Sequence, residues 1–454
     1  MVLEISSLNP VTGKRIKRYR LATQRDLDTA LVLGKKVAIS WREATVKERT
    51  KHIARLAWLL LKKKKTFAAL ITQEMGKPIT QSLAEIEKCA WCCRYYATHS
   101  EKFLSPEQIQ TENKKSYVRY DPLGTILGVM PWNFPFWQVF RYSIPALAAG
   151  NVTILKHSNI VPGCSLAIRD LFHDAGFPRG VFQSLITDAD GVAYLLPHTD
   201  GVSVTGSVET GTTVAQQAST YLKKYVLELG GSDPFIVLDD ADLDIASKNA
   251  VTSRFFNTGQ SCIAAKRFIV TKKNASAFVQ KVLEHVAALR VGDPMEKETN
   301  VGPLVREEQR ERLERQVQQS VRLGAVIRCG GSRITGDGFF FQPTVIVNVK
   351  DSMPVVCEET FGPVMPIIVA QNERDALNKA NATEFGLGAS LWTKNRKKAE
   401  HLVPQITAGF VAVNAIVRSD PRLPFGGVKK SGIGRELGRQ GLYEFTNCKT
   451  VVVN

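Results

Sequence analysis

The chain has 454 residues, 44% of them hydrophobic, enough to bury a sizeable core over two domains or three. Its 33 glycines and 20 prolines are near average and dispersed, which excludes collagen-like tracts and long disordered tails. The formal net charge of +17 would suit a nucleic-acid binder, but the bases are scattered. Lys62–Lys65 has no interleaved aromatic, and the cluster Lys14-Arg15…Lys17-Arg18 has only Tyr19, so solvated surface is the expectation.

Met1-Val2-Leu3-Glu4 lacks a basic region followed by an apolar stretch, so no signal peptide is expected. Long helical patterns then run over 26–40, 45–75 and 80–103, with Asp or Thr at their starts and Gly76-Lys77-Pro78 as a break. Cys89, Cys92 and Cys93 lie in the last of these. They include a C-x-x-C spacing without a second Cys or His pair nearby, so buried thiols on a helix are predicted. Eight cysteines in so long a chain build no disulfide framework, and free thiols fit a cytoplasmic location.

From Ser116 the pattern changes to strands. Tyr117–Tyr120, a turn at Asp121–Gly124 and the apolar Thr125–Met130 predict a β-hairpin. The apolar stretch 124–150 holds Asn133, Arg141 and three prolines, so it is not a membrane span. Strands at 152–155, 182–186 and 201–204 then alternate with helices, the rhythm of a helix-covered parallel sheet. Gly230-Gly231-Ser232 reads as a hinge. A second α/β section follows, with strands at 234–238, 268–271, 366–369, 389–392 and 409–413. The terminal apolar strand before Asn454 calls for a partner edge, for which another subunit is the expectation.

Two residues suggest chemistry. Cys262 lies on the polar, glycine-punctuated turn Asn257–Cys262, and Glu228 ends the short apolar run before Gly230-Gly231. A thiolate adds to electrophilic carbon, and a carboxylate of raised pKa can take the proton of a hydrolytic water.

A series of motifs surrounds them in order: Asn9-Pro10-Val11-Thr12-Gly13, Pro131-Trp132-Asn133-Phe134-Pro135, Thr205-Gly206-Ser207…Gly211 and Leu227-Glu228-Leu229-Gly230-Gly231. Gly259-Gln260-Ser261-Cys262, Glu358–Pro363 and Pro424–Gly432 follow. In this the chain resembles the NAD(P)-dependent aldehyde dehydrogenase superfamily over nearly its whole length. Asn257–Phe268 and Ser419–Glu436 are most similar to its compact succinate-semialdehyde dehydrogenase branch. The resemblance implies an α/β fold with a Rossmann-type cofactor domain (1–106 and 125–229) and a catalytic domain (230–428). Small β oligomerisation elements (107–124 and 429–454) would build a homodimer or homotetramer.

By the same resemblance Cys262 attacks the aldehyde, and the Asn133 amide and the Cys262 N–H receive the oxyanion. Hydride leaves for the nicotinamide, and Glu228 activates the water that cleaves the thioester. Thr205, Gly206 and Ser207 would face the pyrophosphate at a helix N-terminus, Lys156 the adenosine ribose, and Glu359 the nicotinamide ribose. Trp132 and Phe361 would pack nearby. Asn159, where NAD-preferring members often carry glutamate, removes repulsion against a 2′-phosphate and favours NADP over NAD. No metal is expected.

Arg141, eight residues beyond Asn133, would pair with the distal carboxylate of the substrate, with Ser419 beside it. Phe256 stands where some members place a second arginine, which admits other short ω-oxo acids. Two alternatives remain open: a broad-specificity enzyme acting on uncharged aldehydes, and a non-catalytic nucleic-acid-binding or structural protein. A CoA-acylating enzyme is disfavoured by Glu228.

Overall fold

The computed structural model describes residues 3–454; Met1 and Val2, part of the N-terminal reading, lie outside the described residues. Strand Thr125–Met130 is buried at every position, so it needs a neighbour on both edges and cover on both faces. It runs parallel to Val152–His157 on one side and to Gly201–Thr205 on the other. Phe182–Leu185 extends the first flank and Lys224–Glu228 the second. The chain thus leaves the central strand in one direction and then in the other. The resulting switch point is where open α/β sheets bind ligands, outside the C-terminal strand ends.

Helices Gln24–Glu43, Val46–Lys62, Lys64–Met75 and Ile79–Leu104 precede this sheet, and most of them pack on it in one apolar core. Thr23 and Thr45 each form a reciprocal capping box with the acidic residue three positions on, worth about 1 kcal/mol per cap. The helix predicted over 45–75 is two helices, broken at Lys63 inside the four-lysine run, where like charges weaken a helix. Cys89, Cys92 and Cys93 are free, buried thiols of the last helix, and no cluster among the described residues could hold a metal ion.

The second sheet has seven strands, in the order Val326–Cys329, Thr344–Val347, Val364–Ala370, Ala265–Thr271, Asp233–Val237, Gly388–Trp392 and Phe410–Val413. All pairs are parallel except the first. No helix among the described residues is long and apolar enough to cross a membrane.

Two expectations change. The hairpin does not form: Lys115–Pro122 belongs to a three-stranded sheet with Glu107–Ile109 and Thr446–Val453, while Thr125–Met130 goes to the six-stranded sheet. Gly124, at φ +137, turns the chain between them, held by Asn151 on its own N–H and by Asp200 on that of Thr125. The terminal strand finds its partner within its own chain, antiparallel to Lys115–Pro122. Within 429–454, Gly432–Ile433 forms an edge of the six-stranded sheet beside Lys224–Glu228.

Candidate active site

The C-terminal strand ends of the six-stranded sheet meet loops that enter strands of the seven-stranded sheet from their N-terminal ends. Asn133 follows Thr125–Met130, Thr205 ends its strand and Glu228 ends the next. Opposite them, Cys262 precedes Ala265–Thr271, and Glu359 precedes Val364–Ala370. The seam is hydrogen-bonded: the Asn133 amide donates to the Gln260 carbonyl at 3.0 Å, and the Asn257 amide donates to the Asn133 carbonyl at 2.9 Å.

Cys262 rides on a bent loop. Asn257, Thr258 and Gly259 all have positive φ (52, 56 and 73), a costly run for a β-branched threonine. The loop is held by Arg254, fully buried, which donates to the carbonyls of Ala265 and Thr360 at 3.1 Å each and to that of Gly362. Gly259 is required for space too, since a Cβ there would collide with the Gly362 carbonyl. The bend leaves the Cys262 N–H without an acceptor among the described residues.

The thiol opens onto a cavity of about 390 Å³. Its walls are mainly apolar, from Phe134, Trp137, Phe256, Ile263, Ile416, Val417 and Phe425, but they also carry Arg141, Lys88 and Ser419. Burial pushes the thiol up to about 11, against the pull of Arg141 and Lys266, which favour the thiolate. The Lys266 ammonium donates to the carbonyls of Cys262 (2.8 Å) and Ser261 (3.1 Å) and reaches Glu359 at 3.4 Å.

Asn133 and Glu228 stand behind the cavity wall. Asn133 is buried, and its carbonyl oxygen accepts from the Gln138 amide at 3.1 Å. Glu228 is buried with its Oε1 unpartnered, and burial raises its carboxyl well above the usual range, with Arg141 acting in the opposite sense. Gly426 leaves room for it, since a Cβ there would come within 2.8 Å of that oxygen.

Arg141 reaches the cavity but is not free. Its Nε pairs with Glu436 and its Nη2 donates to the Thr205 hydroxyl at 3.1 Å, so one edge of the guanidinium is occupied. Glu436 also accepts from Ser203 at 3.0 Å. Thr205, expected at the cofactor, therefore has its hydroxyl engaged on the Arg141 side. Ser419 is buried and accepts from the Lys88 ammonium at 2.7 Å. Lys88, Lys266 and Glu436 escaped the sequence reading, because none belongs to a motif that marks it as polar and inward-facing.

The residues expected at a dinucleotide fit one. Ser207 caps helix Val208–Thr220 through the Thr210 N–H at 3.1 Å, which leaves the N–H groups of the first turn facing outward beside Gly206. Lys156, partly buried at the end of its strand, is in no ion pair among the described residues, and burial lowers its pKa. Asn159 follows in a half-buried turn. Glu359 accepts from the Gly231 N–H at 3.1 Å, and Trp132 meets Phe361 edge to face at 5.8 Å.

Two Rossmann-like sheets joined at a thiol-bearing seam define an α/β oxidoreductase. The chain matches the aldehyde dehydrogenase family over residues 3–451, and it belongs to that family. It is 45% identical over 451 residues, 99% of both chains, to a probable succinate-semialdehyde dehydrogenase (NADP+) of Synechocystis. It is 44% identical to a succinate semialdehyde dehydrogenase (NAD(P)+) of Escherichia coli, covering 98% of this chain and 97% of that one. Among solved structures, a succinic semialdehyde dehydrogenase from Streptococcus pyogenes in complex with NADP+ matches with TM-score 0.97 and 32% identity, covering 99% of each chain. Gox0499, studied for cofactor and substrate selection, matches with TM-score 0.98 and 38% identity over the whole of both chains.

Proposed function

We propose that the protein oxidises succinate semialdehyde, or a similar short ω-oxo acid, to the carboxylic acid with NADP or NAD, NADP being favoured. The observation that carries this reading is the Cys262 thiol opening onto a cavity whose apolar wall also bears cationic and hydroxyl side chains at Arg141, Lys88 and Ser419. An uncharged aldehyde has no use for those groups. The reading also agrees with the names of the relatives above.

In the proposed mechanism the Cys262 thiolate adds to the aldehyde carbon, forming a C–S bond. The charge that develops on oxygen is met by the free Cys262 N–H and by the remaining amide hydrogen of Asn133. The dinucleotide, when bound, supplies the hydride acceptor. Lys156 and Asn159 would hold its adenosine ribose, Gly206, Ser207 and the helix N-terminus its pyrophosphate, and Glu359 its nicotinamide ribose, beside Trp132 and Phe361. Loss of hydride leaves an acyl thioester on Cys262. Glu228 takes a proton from water as it attacks; the C–S bond breaks, and acid and thiol are released. Because burial raises the Glu228 carboxyl, its basic fraction grows with pH, and acid release should accelerate accordingly.

We further propose the division into a cofactor domain on the six-stranded sheet and a catalytic domain on the seven-stranded sheet, and a cytoplasmic location. A dimer or tetramer built through the three-stranded sheet is part of the same reading. Val452 and Val453, both exposed on its edge strand, support that last part.

Absorbance at the reduced-nicotinamide band tests the reaction, comparing succinate semialdehyde with butanal and NADP with NAD. We expect the acidic aldehyde and NADP to be preferred, and Cys262→Ala to produce no signal while still binding the dinucleotide. Equal rates with butanal would favour the broad-specificity alternative.

A further inference from the structure

Three cations line the cavity; Arg418 is exposed to solvent, and of the other two, Arg141 and Lys88, only one is neutralised by the protein. Arg141 lies against Glu436. Lys88, on helix Ile79–Leu104, forms no ion pair with any carboxylate among the described residues; its Nζ donates to Ser419 Oγ at 2.7 Å and sits 4.3 Å from the Trp137 ring centre. Every anionic or ionisable group around it is committed or neutral. Glu85, one turn earlier, is paired with Lys77 and accepts from the N–H groups of Phe136 (2.9 Å) and Trp137 (3.0 Å). Asp420 is held by Arg422 at 2.7 Å, and burial keeps the Cys89 and Cys92 thiols protonated. Burial, reinforced by Arg141, lowers the Lys88 ammonium to about 8.

An ammonium kept without a counter-ion in a largely apolar wall is costly. It also dictates the polarity of its neighbour. Because an ammonium can only donate, the Ser419 oxygen is the acceptor of their hydrogen bond, and the hydroxyl hydrogen is left for another partner. Lys88 and Ser419 therefore present adjacent N–H and O–H donors, and a carboxylate accepts from both at once.

We propose that Lys88, acting with the Ser419 hydroxyl, is the principal binding site for the distal carboxylate of the substrate, and that Arg141 contributes mainly field and the positioning of Glu436. This rests on the ω-oxo acid reading and assigns its specificity to a residue on helix Ile79–Leu104. Lys88→Met should lower the ratio of kcat/KM for succinate semialdehyde over butanal about thirtyfold, through KM, as expected for one lost charge-assisted contact. Lys88→Arg should restore most of it. In the wild type the same ratio should fall as pH rises through about 8, and in Lys88→Arg it should not.

Melting curves establish that both variants are folded. A wild-type preference for succinate semialdehyde that survives intact in folded Lys88→Met overturns the lysine assignment and leaves the substrate reading standing. A wild type that does not discriminate the two aldehydes overturns both.

Discussion

Asn133 commits one amide hydrogen to the Gln260 carbonyl and its oxygen to Gln138, which fixes the direction of the hydrogen that remains. Such a donor, already oriented before charge develops, needs no reorganisation during reaction. Asn133→Ala should therefore lower kcat about 10²–10³-fold, with KM for the dinucleotide little changed, in steady-state assays. Asn133, Cys262 and Glu228 could be singled out in the sequence because each stands in a short ordered motif. Lys88 could not, since its partner Ser419 is 331 residues away, and Glu436 could not, since Ser203 is 233 residues away. Pairings that only the tertiary fold creates leave no local pattern. Phe256, expected as an uncharged replacement near the nucleophile, does line the cavity.

At the scale of elements, buried strands were the most readable. Thr125–Met130 was placed to the residue, because six consecutive apolar or small residues ending at a proline admit little else. The strands Glu4–Leu8 and Arg15–Arg20 went unread, because the second, Arg-Ile-Lys-Arg-Tyr-Arg, is mostly exposed and carries no buried face to give it a period. The hairpin error has the same origin: alternation identifies strands but not which sheet they join.

One element carries a pH prediction. His157, at the end of Val152–His157, bonds the Pro135 carbonyl through Nε2 at 2.8 Å and accepts from the Ser158 N–H through Nδ1 at 2.8 Å. Only the neutral ring satisfies both, and burial, the main cause, lowers its pKa from 6.5 to about 4. Below the unfolded value the unfolded chain binds the proton and the folded one does not, so stability is lost as pH falls from 6.5 towards 4. The loss amounts to about 3 kcal/mol from this site. Denaturant titrations across that window should show a shallower decline in His157→Gln than in the wild type.

Across the whole molecule, two sheets meet with opposite strand ends at a seam. The strand–helix alternation foretold both sheets, but not how tightly the return segment would stitch them. Gly230-Gly231-Ser232, read as a hinge, is pinned at its first two residues: Ser431 donates to the Gly230 carbonyl at 2.7 Å, and Glu359 holds the Gly231 N–H. Glycine pairs read as freedom in a sequence because the groups that immobilise them lie far along the chain.

Ser431 is fully buried, and its hydroxyl also receives the Gly386 N–H at 2.9 Å, while its own carbonyl receives the Leu229 N–H at 2.8 Å. A single side chain thus rivets the two halves across their junction. Fastened in this way, the two halves are expected to keep their spacing when a nucleotide enters the slot between them. Small-angle scattering should return the same radius of gyration with and without NADP, whereas Ser431→Ala, with the rivet drawn, should broaden the distance distribution of the empty form.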